Sequence, residues 1–381
     1  MKEESKLLID ALRGAVTGQK TQLNKDVDWD VFLRLAKAHG VEALAYSGLS
    51  GQLPEKVDRA LSAAYHHAIF ADAQLSYVRS ELENKLEQAG ISHIFLKGAS
   101  LKGDYPIPAL RTMCDLDVLV YAKDFEALER IAESMGATAG HSDGNHRNYH
   151  FPGGVTVEFH PNLLHHATPV GTGINPGWQY AKEVRNGAME LTEEGFYLNT
   201  LCHLANHFVA GGVGVRFVLD VWVNRNLRKR PMDRSFVEQE LERFGLLSFA
   251  RNIEALAECW FGTGQSDSLL EELGEYILTS GSHGFTDRAV LNSVSLSEGG
   301  SRVSALWGKV FYPRQELEDR YPWCKNRPLL LPAAWCARAV RAVTKHGDLV
   351  LKWSKKTAKV SRQAVTTQKQ RLSRFGIDTK K

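Results

Sequence analysis

The N-terminal part of the chain alternates apolar and polar positions with the period of an α-helix. Apolar side chains recur three or four positions apart over residues 29–36, and a longer stripe without glycine or proline covers 60–86. Pro54, which precedes the longer stripe, suits a first helical turn. We therefore expect an N-terminal helical region over residues 1–88.

From Ile91 the pattern changes to short apolar runs that are typical of β-strands. SHIFLKG and CDLDVLVY are predicted to be buried strands, and KDFEALERIAESMG an amphipathic helix that ends at a glycine. NYHF and VTVEFH predict a hairpin around Pro152, Gly153 and Gly154. The order strand, helix, strand, helix and two strands predicts a small α+β unit over residues 89–166.

Helical periodicity returns after a loop rich in Gly, Pro and Asn at 168–178, and it predicts a C-terminal helical region over 179–345. Residues 281–300 are rich in Gly and Ser, so we expect a flexible loop there. The expected fold class is α+β, with a small mixed-sheet core flanked by N-terminal and C-terminal helical regions. The clearest helices of the C-terminal region are expected at 193–208, 216–227, 236–244 and 247–260, and further helices at 301–311 and 331–344.

The formal net charge of +3 combines a mildly acidic body with a basic tail. From Lys352 onwards ten Lys or Arg stand against one acidic residue, Asp378, whereas the rest of the chain has 37 basic and 43 acidic side chains. Apolar side chains are interleaved with the basic ones in this tail, residues 346–381. The tail could bind RNA, anionic lipid or an acidic partner, and a solvated, partly helical extension is an equally good interpretation.

Composition excludes several classes of protein. With 43% hydrophobic and 24% charged residues, the chain is expected to be globular and not disordered. No run approaches the ~18 apolar residues of a transmembrane helix, and the N-terminus lacks the residue order of a signal peptide. Five scattered cysteines without a CxxC pair argue against a disulfide framework or a zinc ribbon. We expect a cytoplasmic protein.

An acidic pair on one predicted strand is the most informative feature of the sequence. Side chains alternate between the faces of a strand, so Asp115 and Asp117 project the same way, while Leu116 and Val118 point into the core. Two carboxylates this close repel each other, and a bound cation relieves the repulsion. Oxygen ligands favour Mg²⁺ or Mn²⁺ over Zn²⁺. Taken alone, such a pair is also common at solvated strand ends.

Two neighbouring motifs strengthen the metal interpretation. Gly98-Ala99-Ser100 stands where a strand turns into a helix, so its backbone amides could cradle a phosphate chain. Glu158 lies on another alternating strand and shares its face with His160. A glycine turn, an acidic pair and a third carboxylate are the groups needed for two-metal phosphoryl transfer, with cations about 3.5–4 Å apart.

The segments LKGASL, ALRTMCDLDVLV and VTVEFHPNL resemble the uncharacterised nucleotidyltransferases of the DNA polymerase β-like superfamily. In that superfamily a glycine-containing turn precedes an acidic pair on the next strand, and a third acid follows on a later strand. WDVFLRLAKAHGVEALAYSGL resembles the helical lead-in of the family, and LNTLCHLANHFVAGGVGVRFVLDVWV and RPLLLPAAWCARAVR resemble its later segments. The resemblance covers most of residues 5–345.

The resemblance implies that residues 89–166 are the nucleotidyltransferase catalytic core, and it implies roles for particular residues. Asp115 and Asp117 would ligate the metal ions, and Glu158 would be the third acid, as a metal ligand and a general base for the acceptor hydroxyl. Glu158 stands where aspartate is frequent, but its longer side chain can still reach a metal. The glycine turn would lie under the nucleotide phosphates, with Ala99 in place of the common serine. The contact would then fall to backbone amides.

Several basic side chains lie near these motifs. Arg111 could contact the triphosphate with its planar fork, or it could be a solvated loop arginine. Lys97 and Lys102 could contact phosphate, but surface lysines are the simpler interpretation. Arg216 and Asp220, four residues apart on a predicted helix, are expected to form a surface ion pair.

Histidines supply further candidates. His160, on the face of Glu158, is the best candidate for a substrate contact. His203 and His207 lie four residues apart on one helix face, which suits a metal pair, but no glutamate completes an HExxH motif. Packed or cleft-lining histidines are the simpler interpretation of this pair, and a substrate contact is conceivable. Five more histidines are expected in loops near the site, namely His141, His146, His150, His165 and His166.

These motifs and the resemblance together predict a Mg²⁺-dependent nucleotidyltransferase, for which Mn²⁺ could replace Mg²⁺. The expected reaction moves a nucleoside monophosphate from an NTP to an acceptor hydroxyl and releases pyrophosphate. A catalytically inactive nucleotide- or RNA-binding regulator with the same fold is the alternative. The base of the NTP and the acceptor, which could be a small molecule, a protein or a tRNA, stay open.

Overall fold

The computed structural model describes residues 1–23, 26–96, 98–142, 146–162, 177–281, 286–312 and 314–377. Its helices are α1 (Glu3–Thr17), α2 (Trp29–His39), α3 (Glu42–Leu49), α4 (Glu55–Gln88), α5 (Gly98–Leu101), α6 (Phe125–Ser134), α7 (Glu193–Ala210), α8 (Val215–Asn226), α9 (Arg234–Arg243), α10 (Leu247–Phe261), α11 (Ser268–Leu278), α12 (Thr286–Leu296), α13 (Arg302–Val310), α14 (Arg314–Arg320), α15 (Leu331–Lys359) and α16 (Arg362–Arg374). Its strands are β1 (His93–Phe95), β2 (Asp115–Val120), β3 (Thr138–Ser142), β4 (Arg147–Phe151), β5 (Val155–His160), β6 (Ala181–Arg185) and β7 (Ala188–Leu191).

The helices predicted in the N-terminal part of the chain are confirmed. Asp28 caps α2 by accepting hydrogen bonds from the backbone amides of Asp30 and Val31, and Gly40 ends the helix with a left-handed φ of 62°. Helix α4 begins after Pro54 and continues for 34 residues. Its C-terminal half packs against the sheet, so this helix connects the N-terminal helices with the core.

The seven strands form one mixed sheet in the order β3-β4-β5-β2-β1-β7-β6. Strand β2 runs parallel to β5, and β1 runs antiparallel to β2 and parallel to β7. The register places Asp115 opposite Thr156 and Asp117 opposite Glu158. The two strands that carry the predicted acids are therefore neighbours in the middle of the sheet, which confirms the α+β class.

The two faces of these central strands pack differently. Leu116 and Val118 on β2, and Val157 and Phe159 on β5, have no exposed surface and pack with α6 and the C-terminal half of α4. Burying each such side chain contributes about 1.5–3 kcal/mol. The opposite face carries the acids, and there Leu119 joins the larger core of the helical regions. The predicted alternation of both strands is confirmed.

The sheet extends beyond the predicted core to a hairpin that the sequence interpretation missed. Strands β6 and β7 are joined at Asn186 and Gly187, whose φ values of 36° and 81° are both positive. An Asn-Gly pair is a typical two-residue hairpin turn, because both residues tolerate positive φ. Strand β7 pairs with β1, so the sheet continues to residue 191. Strand β3, on the other edge, was also not predicted.

The prediction of a flexible loop at 281–300 is wrong for the part that forms α12. The glycines of this segment lie near its ends, and the stretch between them has apolar residues at helical spacing. Val290 and Val294 are buried, and the Asn292 amide donates to the backbone carbonyls of Phe208 and Val209. These contacts attach α12 to α7. Helix α11, before it, was not predicted either.

The basic tail folds back onto the helical body. Helix α15 crosses the proposed boundary at residues 345/346, and α16 follows it after two residues. Leu372, Phe375 and Ile377 at the end of the tail are buried in the main core. Arg371 and Arg374 form ion pairs with Glu272 on α11. Helix α16 is therefore packed and not a solvated extension. Among the described residues, no helix combines the length and apolar character needed to cross a membrane.

Candidate active site

The acidic pair of β2 lies beside the third carboxylate on β5. Because the two strands are parallel neighbours, Asp117 stands opposite Glu158 and both project from the same face of the sheet. Asp115 projects from that face two residues earlier, opposite Thr156. All three carboxylates are half-buried. The structure thus places the three predicted acids on one patch of the sheet.

His160 lies between the two facing carboxylates. Its Nε2 is 2.7 Å from Oδ1 of Asp117 and 3.4 Å from Oε2 of Glu158. The hydrogen bond with His160 lowers the pKa of Glu158, against the opposing effect of burial. From the neighbouring strand β4, Nδ2 of Asn148 donates to Oε1 of Glu158 at 3.0 Å. Glu158 is therefore held in its ionised form from two sides.

Asp117, Glu158 and His160 form a group that could hold a divalent cation. Each offers one ligand atom, and these atoms lie within 4.8 Å of one another. Two carboxylates and an imidazole suit Mg²⁺ or Mn²⁺, and the nitrogen shifts the preference towards Mn²⁺. Oδ1 of Asn148, beside Glu158, is buried without a hydrogen-bond partner. The role of Asp115 as a metal ligand stays a prediction.

The glycine turn after β1 begins the short helix α5. A Cβ atom on Gly98 would lie 2.2 Å from Nη1 of Arg111 and 2.9 Å from Sδ of Met113, so this close approach requires glycine. Ala99 is buried, and its carbonyl accepts a hydrogen bond from Arg79 at 2.8 Å. The hydroxyl of Ser100 donates to the backbone carbonyl of Phe95 at 3.0 Å. These contacts fix the conformation of the turn.

Arg111 is buried beside this turn and is not a solvated loop arginine. Its Nε and Nη2 donate to the two carboxylate oxygens of Asp220 at 3.1 Å and 2.7 Å, which is a bidentate pair. The hydroxyl of Tyr105 donates to the same carboxylate at 2.6 Å. Burial alone would lower the pKa of Arg111, but the Asp220 carboxylate reverses this effect and raises it. The pair leaves Nη1 directed at Gly98.

A second guanidinium group lies close to the first. Arg216 on α8 donates to the backbone carbonyl of Thr112, in the loop that leads into β2. Burial lowers the pKa of Arg216, and the nearby charge of Arg111 lowers it further. The expected surface ion pair of Arg216 with Asp220 is wrong, because Asp220 is buried and forms its bidentate pair with Arg111.

The two lysines of this region differ from the expectation. Lys102, expected at the surface, is buried, and its Nζ donates to Asp72 at 2.6 Å and to Ser76 at 3.1 Å. These two partners lie on α4, so Lys102 attaches the segment after the glycine turn to that helix. Lys97 lies outside the described residues.

His203 and His207 lie on one face of α7 in mutual contact. Their Nε2 atoms are 2.9 Å apart, and both rings pack against Phe217 of α8. A substrate contact of the two histidines stays a prediction.

The remaining histidine cluster lies only partly where it was expected. The ring of His146 stacks on that of His160, with centroids 5.8 Å apart, so it borders the site. His150 lies on strand β4 and not in a loop, and its Nδ1 is 3.2 Å from the hydroxyl of Thr156. His165 and His166 lie outside the described residues, as does the side chain of His141.

Comparison with protein families identifies the family of this chain. A family model described as uncharacterised nucleotidyltransferase matches residues 25–262. The chain belongs to this family. The match contains the glycine turn, the acidic pair and Glu158, and it ends before the RPLLLPAAWCARAVR segment. Neither a curated protein nor a solved structure matches the chain. Nucleotidyl transfer is the class of activity that this family membership supports.

Three contacts of the candidate site were missed in the sequence. Asn148 could have been found, because it lies two residues from His150 on a predicted strand and therefore shares its face. The sequence around Tyr105 has no helix or strand periodicity, because this residue lies between two short 3₁₀ helices. Nothing in the sequence therefore indicated its contact. Asp220 was noticed only as a helix neighbour of Arg216, and its true partner lies 109 residues away.

Proposed function

We propose that this nucleotidyltransferase moves a nucleoside monophosphate from an NTP to an acceptor hydroxyl, with a divalent cation held at Asp117 and Glu158. The observation that supports this most directly is the pairing of these two carboxylates across parallel strands, with His160 between them, in a member of this family. A bound Mg²⁺ or Mn²⁺ would neutralise charge on the phosphates and on the carboxylates.

The position of each carboxylate on the sheet would determine which of two cations it binds. Asp117 and Glu158 would share one cation, with His160 as a nitrogen ligand or a substrate contact. Asp115, two residues earlier on β2, would contribute to a second cation site towards Thr156. The rigid central strands keep these oxygen atoms in place, so little reorganisation would be needed during the reaction.

The glycine turn and Arg111 would hold the triphosphate. The backbone amides of Gly98 and Ser100 are the proposed contacts. Ala99 has no hydroxyl and its amide donates to the carbonyl of Leu96, while the hydroxyl of Ser100 is used within the turn. Nη1 of Arg111 is directed at Gly98, while Asp220 holds its other nitrogens. Arg111 would then neutralise phosphate charge from a fixed position.

The proposed reaction forms one bond and breaks another. The acceptor oxygen bonds to the α-phosphorus as the bond from that phosphorus to its bridging oxygen breaks, and pyrophosphate leaves with the electron pair. The proton of the acceptor hydroxyl goes to a carboxylate, for which we propose Glu158. Glu158 is ionised at neutral pH and can accept a proton, although its lowered pKa makes it a weak base.

The test is a transfer assay with the purified full-length chain. The protein is incubated with Mg²⁺ or Mn²⁺, each labelled NTP and pools of small-molecule, protein and tRNA acceptors, while pyrophosphate release is followed. We expect cation-dependent transfer that Asp117→Asn reduces by at least about 100-fold, as for loss of a major electrostatic group. The control Asp348→Asn, on the exposed surface of α15, should keep full activity.

The outcome separates an enzyme from an inactive regulator. Equal transfer by Asp117→Asn and the unchanged chain would contradict the proposed metal site. Tight NTP binding without transfer to any acceptor pool would instead support the regulator. Replacing the exposed Lys352, Lys355 and Lys359 by Gln, which leaves the buried contacts of α16 in place, would show whether an RNA acceptor depends on the charge of the tail.

A further inference from the structure

A second polar cleft lies among the helices that follow the sheet. It opens where the C-terminal end of α8 meets the N-terminal ends of α7 and α9, and its volume is about 280 Å³. None of its side chains belongs to the proposed nucleotidyl-transfer site. The cleft is lined by Glu193, Asn224, Arg225, Arg228, Arg230, Met232 and Arg234.

Four guanidinium groups dominate this cleft. Arg228 pairs with Glu193 and with Asp104, and Arg230 pairs with the same Glu193 at 3.1 Å. The other two guanidiniums, those of Arg225 and Arg234, share the carboxylate of Glu254. Four positive charges therefore face three carboxylates, which leaves the network with one positive charge. Arg230 and Arg234 keep 55% and 40% of their side chains exposed, so donors remain accessible from the cleft.

The cleft also contains a buried donor without a partner. Asn224 is only 6% exposed, and its Nδ2 has no hydrogen-bond partner. Buried amide groups are nearly always hydrogen-bonded, since an unmade bond costs free energy. Because Asn224 lines the cleft, a ligand with acceptor oxygens could supply the missing bond.

Two helices begin at this cleft, and the side chains of Thr192 and Asp233 cap their N-termini. Glu193 is the first residue of α7 and Arg234 the first of α9, so both helices begin at the cleft. Partial positive charge at helix N-termini favours anions. The lining thus combines guanidinium groups with an unpartnered amide, and both kinds of group attract an anion with several acceptor oxygens.

We propose that this cleft binds a phosphoryl group, either as free phosphate or as part of a small phosphorylated metabolite, through Arg230, Arg234 and Asn224. A phosphoryl group accepts hydrogen bonds in several directions and matches the planar fork of arginine. The volume lies just below the ~300 Å³ lower end of small-molecule pockets, so the cleft fits a small metabolite better than a nucleoside triphosphate. One surplus positive charge is also too little for binding a nucleic acid strand, whose backbone needs several positive contacts.

Isothermal titration of the full-length chain tests this proposal. The probes are inorganic phosphate, glucose 6-phosphate and, as a carboxylate comparison, citrate. We expect one saturable site for the phosphorylated probes. Arg230→Gln and Asn224→Leu should each weaken binding at least about tenfold, or roughly 1.4 kcal/mol. Arg59→Gln removes a comparable guanidinium from an exposed pair with Glu55 and should change nothing.

A second arm separates this cleft from the proposed catalytic site. The titration is repeated with a saturating, non-hydrolysable NTP analogue, and binding of glucose 6-phosphate should persist. Tighter binding of glucose 6-phosphate than of phosphate would identify a metabolite site, whereas equal affinities would identify a site for free phosphate. Loss of binding with the analogue, unchanged affinity in both cleft variants, or preference for citrate would overturn the proposal. Circular dichroism of each variant verifies that it is folded.

Discussion

Asp117 and Glu158 face each other at half-buried positions, where two like charges repel unless a proton or a cation lies near both. His160 lies between them in the structure, with its Nε2 within 3.4 Å of an oxygen from each carboxylate. The same three side chains have the spacing of a cation site. If Nε2 donates these hydrogen bonds, it would have to lose its proton before it could bind a cation as a ligand.

His160 can be tested by metal binding as well as by activity. If its ring nitrogen is a ligand, His160→Gln should weaken Mn²⁺ binding by on the order of tenfold or more. Titration followed by Mn²⁺ electron paramagnetic resonance measures this affinity without substrate. His67→Gln, on the exposed surface of α4, is the matched control and should bind Mn²⁺ as the unchanged chain does. Equal Mn²⁺ affinity in the two variants would restrict His160 to a substrate contact.

Gly98 gives a prediction about both stability and substrate affinity. A methyl group at this position would lie 2.2 Å from Nη1 of Arg111, so Gly98→Ala should displace that guanidinium. We expect a loss of about 1–3 kcal/mol in the free energy of unfolding, as for other overpacked sites, and a raised KM for the NTP. Gly103→Ala is the control, because its added methyl group meets nothing within 4 Å. Urea unfolding and initial rates measure the two effects, and similar values for both variants would contradict this account.

At the scale of elements, Asp220 connects α8 to the loop that leads into β2. It accepts hydrogen bonds from Arg111 and from Tyr105, both of which precede that strand. Arg216, one turn earlier on α8, contacts the same loop at Thr112. Helix α8 therefore fixes the loop between the glycine turn and the acidic pair, and orients the two motifs relative to each other.

Breaking this connection should be costly. Asp220→Asn would leave Arg111 and Arg216 buried with one fewer negative charge, and loss of one partner of a buried pair costs about 3–5 kcal/mol. Glu55→Gln, which breaks an exposed pair with Arg59, should cost no more than about 1 kcal/mol. Urea unfolding of both variants measures the difference. A loss below 1 kcal/mol for Asp220→Asn would mean that water solvates the two guanidinium groups.

The elements differ in how far the sequence could predict them. Strands β2 and β5 were predictable because backbone geometry fixes the alternation of Asp115 and Asp117. Their parallel pairing was not, since a register between strands forty residues apart is decided by tertiary packing. The β6–β7 hairpin carried a local signal in Asn186 and Gly187, which stand between short runs of mixed polarity. Helix α12 was not predicted because the glycines at the ends of the 281–300 segment indicated a loop, and the apolar pattern between them covers only eleven residues.

At the scale of the whole molecule, the C-terminal tail is a packed part of the body and not only a charged extension. Gln368 donates to the side chains of Asn292 and Tyr276, which joins α16 to α12 and α11. Lys356 pairs with Asp287, and Arg371 and Arg374 pair with Glu272. Acidic residues of the body thus neutralise part of the basic tail. If the tail binds RNA, lipid or an acidic partner, its other basic side chains must make the contact.

Removal of α16 measures how much the tail contributes to stability. Deletion of residues 362–381 removes the buried side chains of Leu372, Phe375 and Ile377, each worth about 1.5–3 kcal/mol. We therefore expect a clear fall in the midpoint of urea unfolding. Arg371→Gln combined with Arg374→Gln keeps these apolar contacts and removes only partly exposed ion pairs, which contribute about 0–1 kcal/mol each. If the deletion and the double variant unfold at the same urea concentration, the apolar contacts of α16 do not hold the tail on the body.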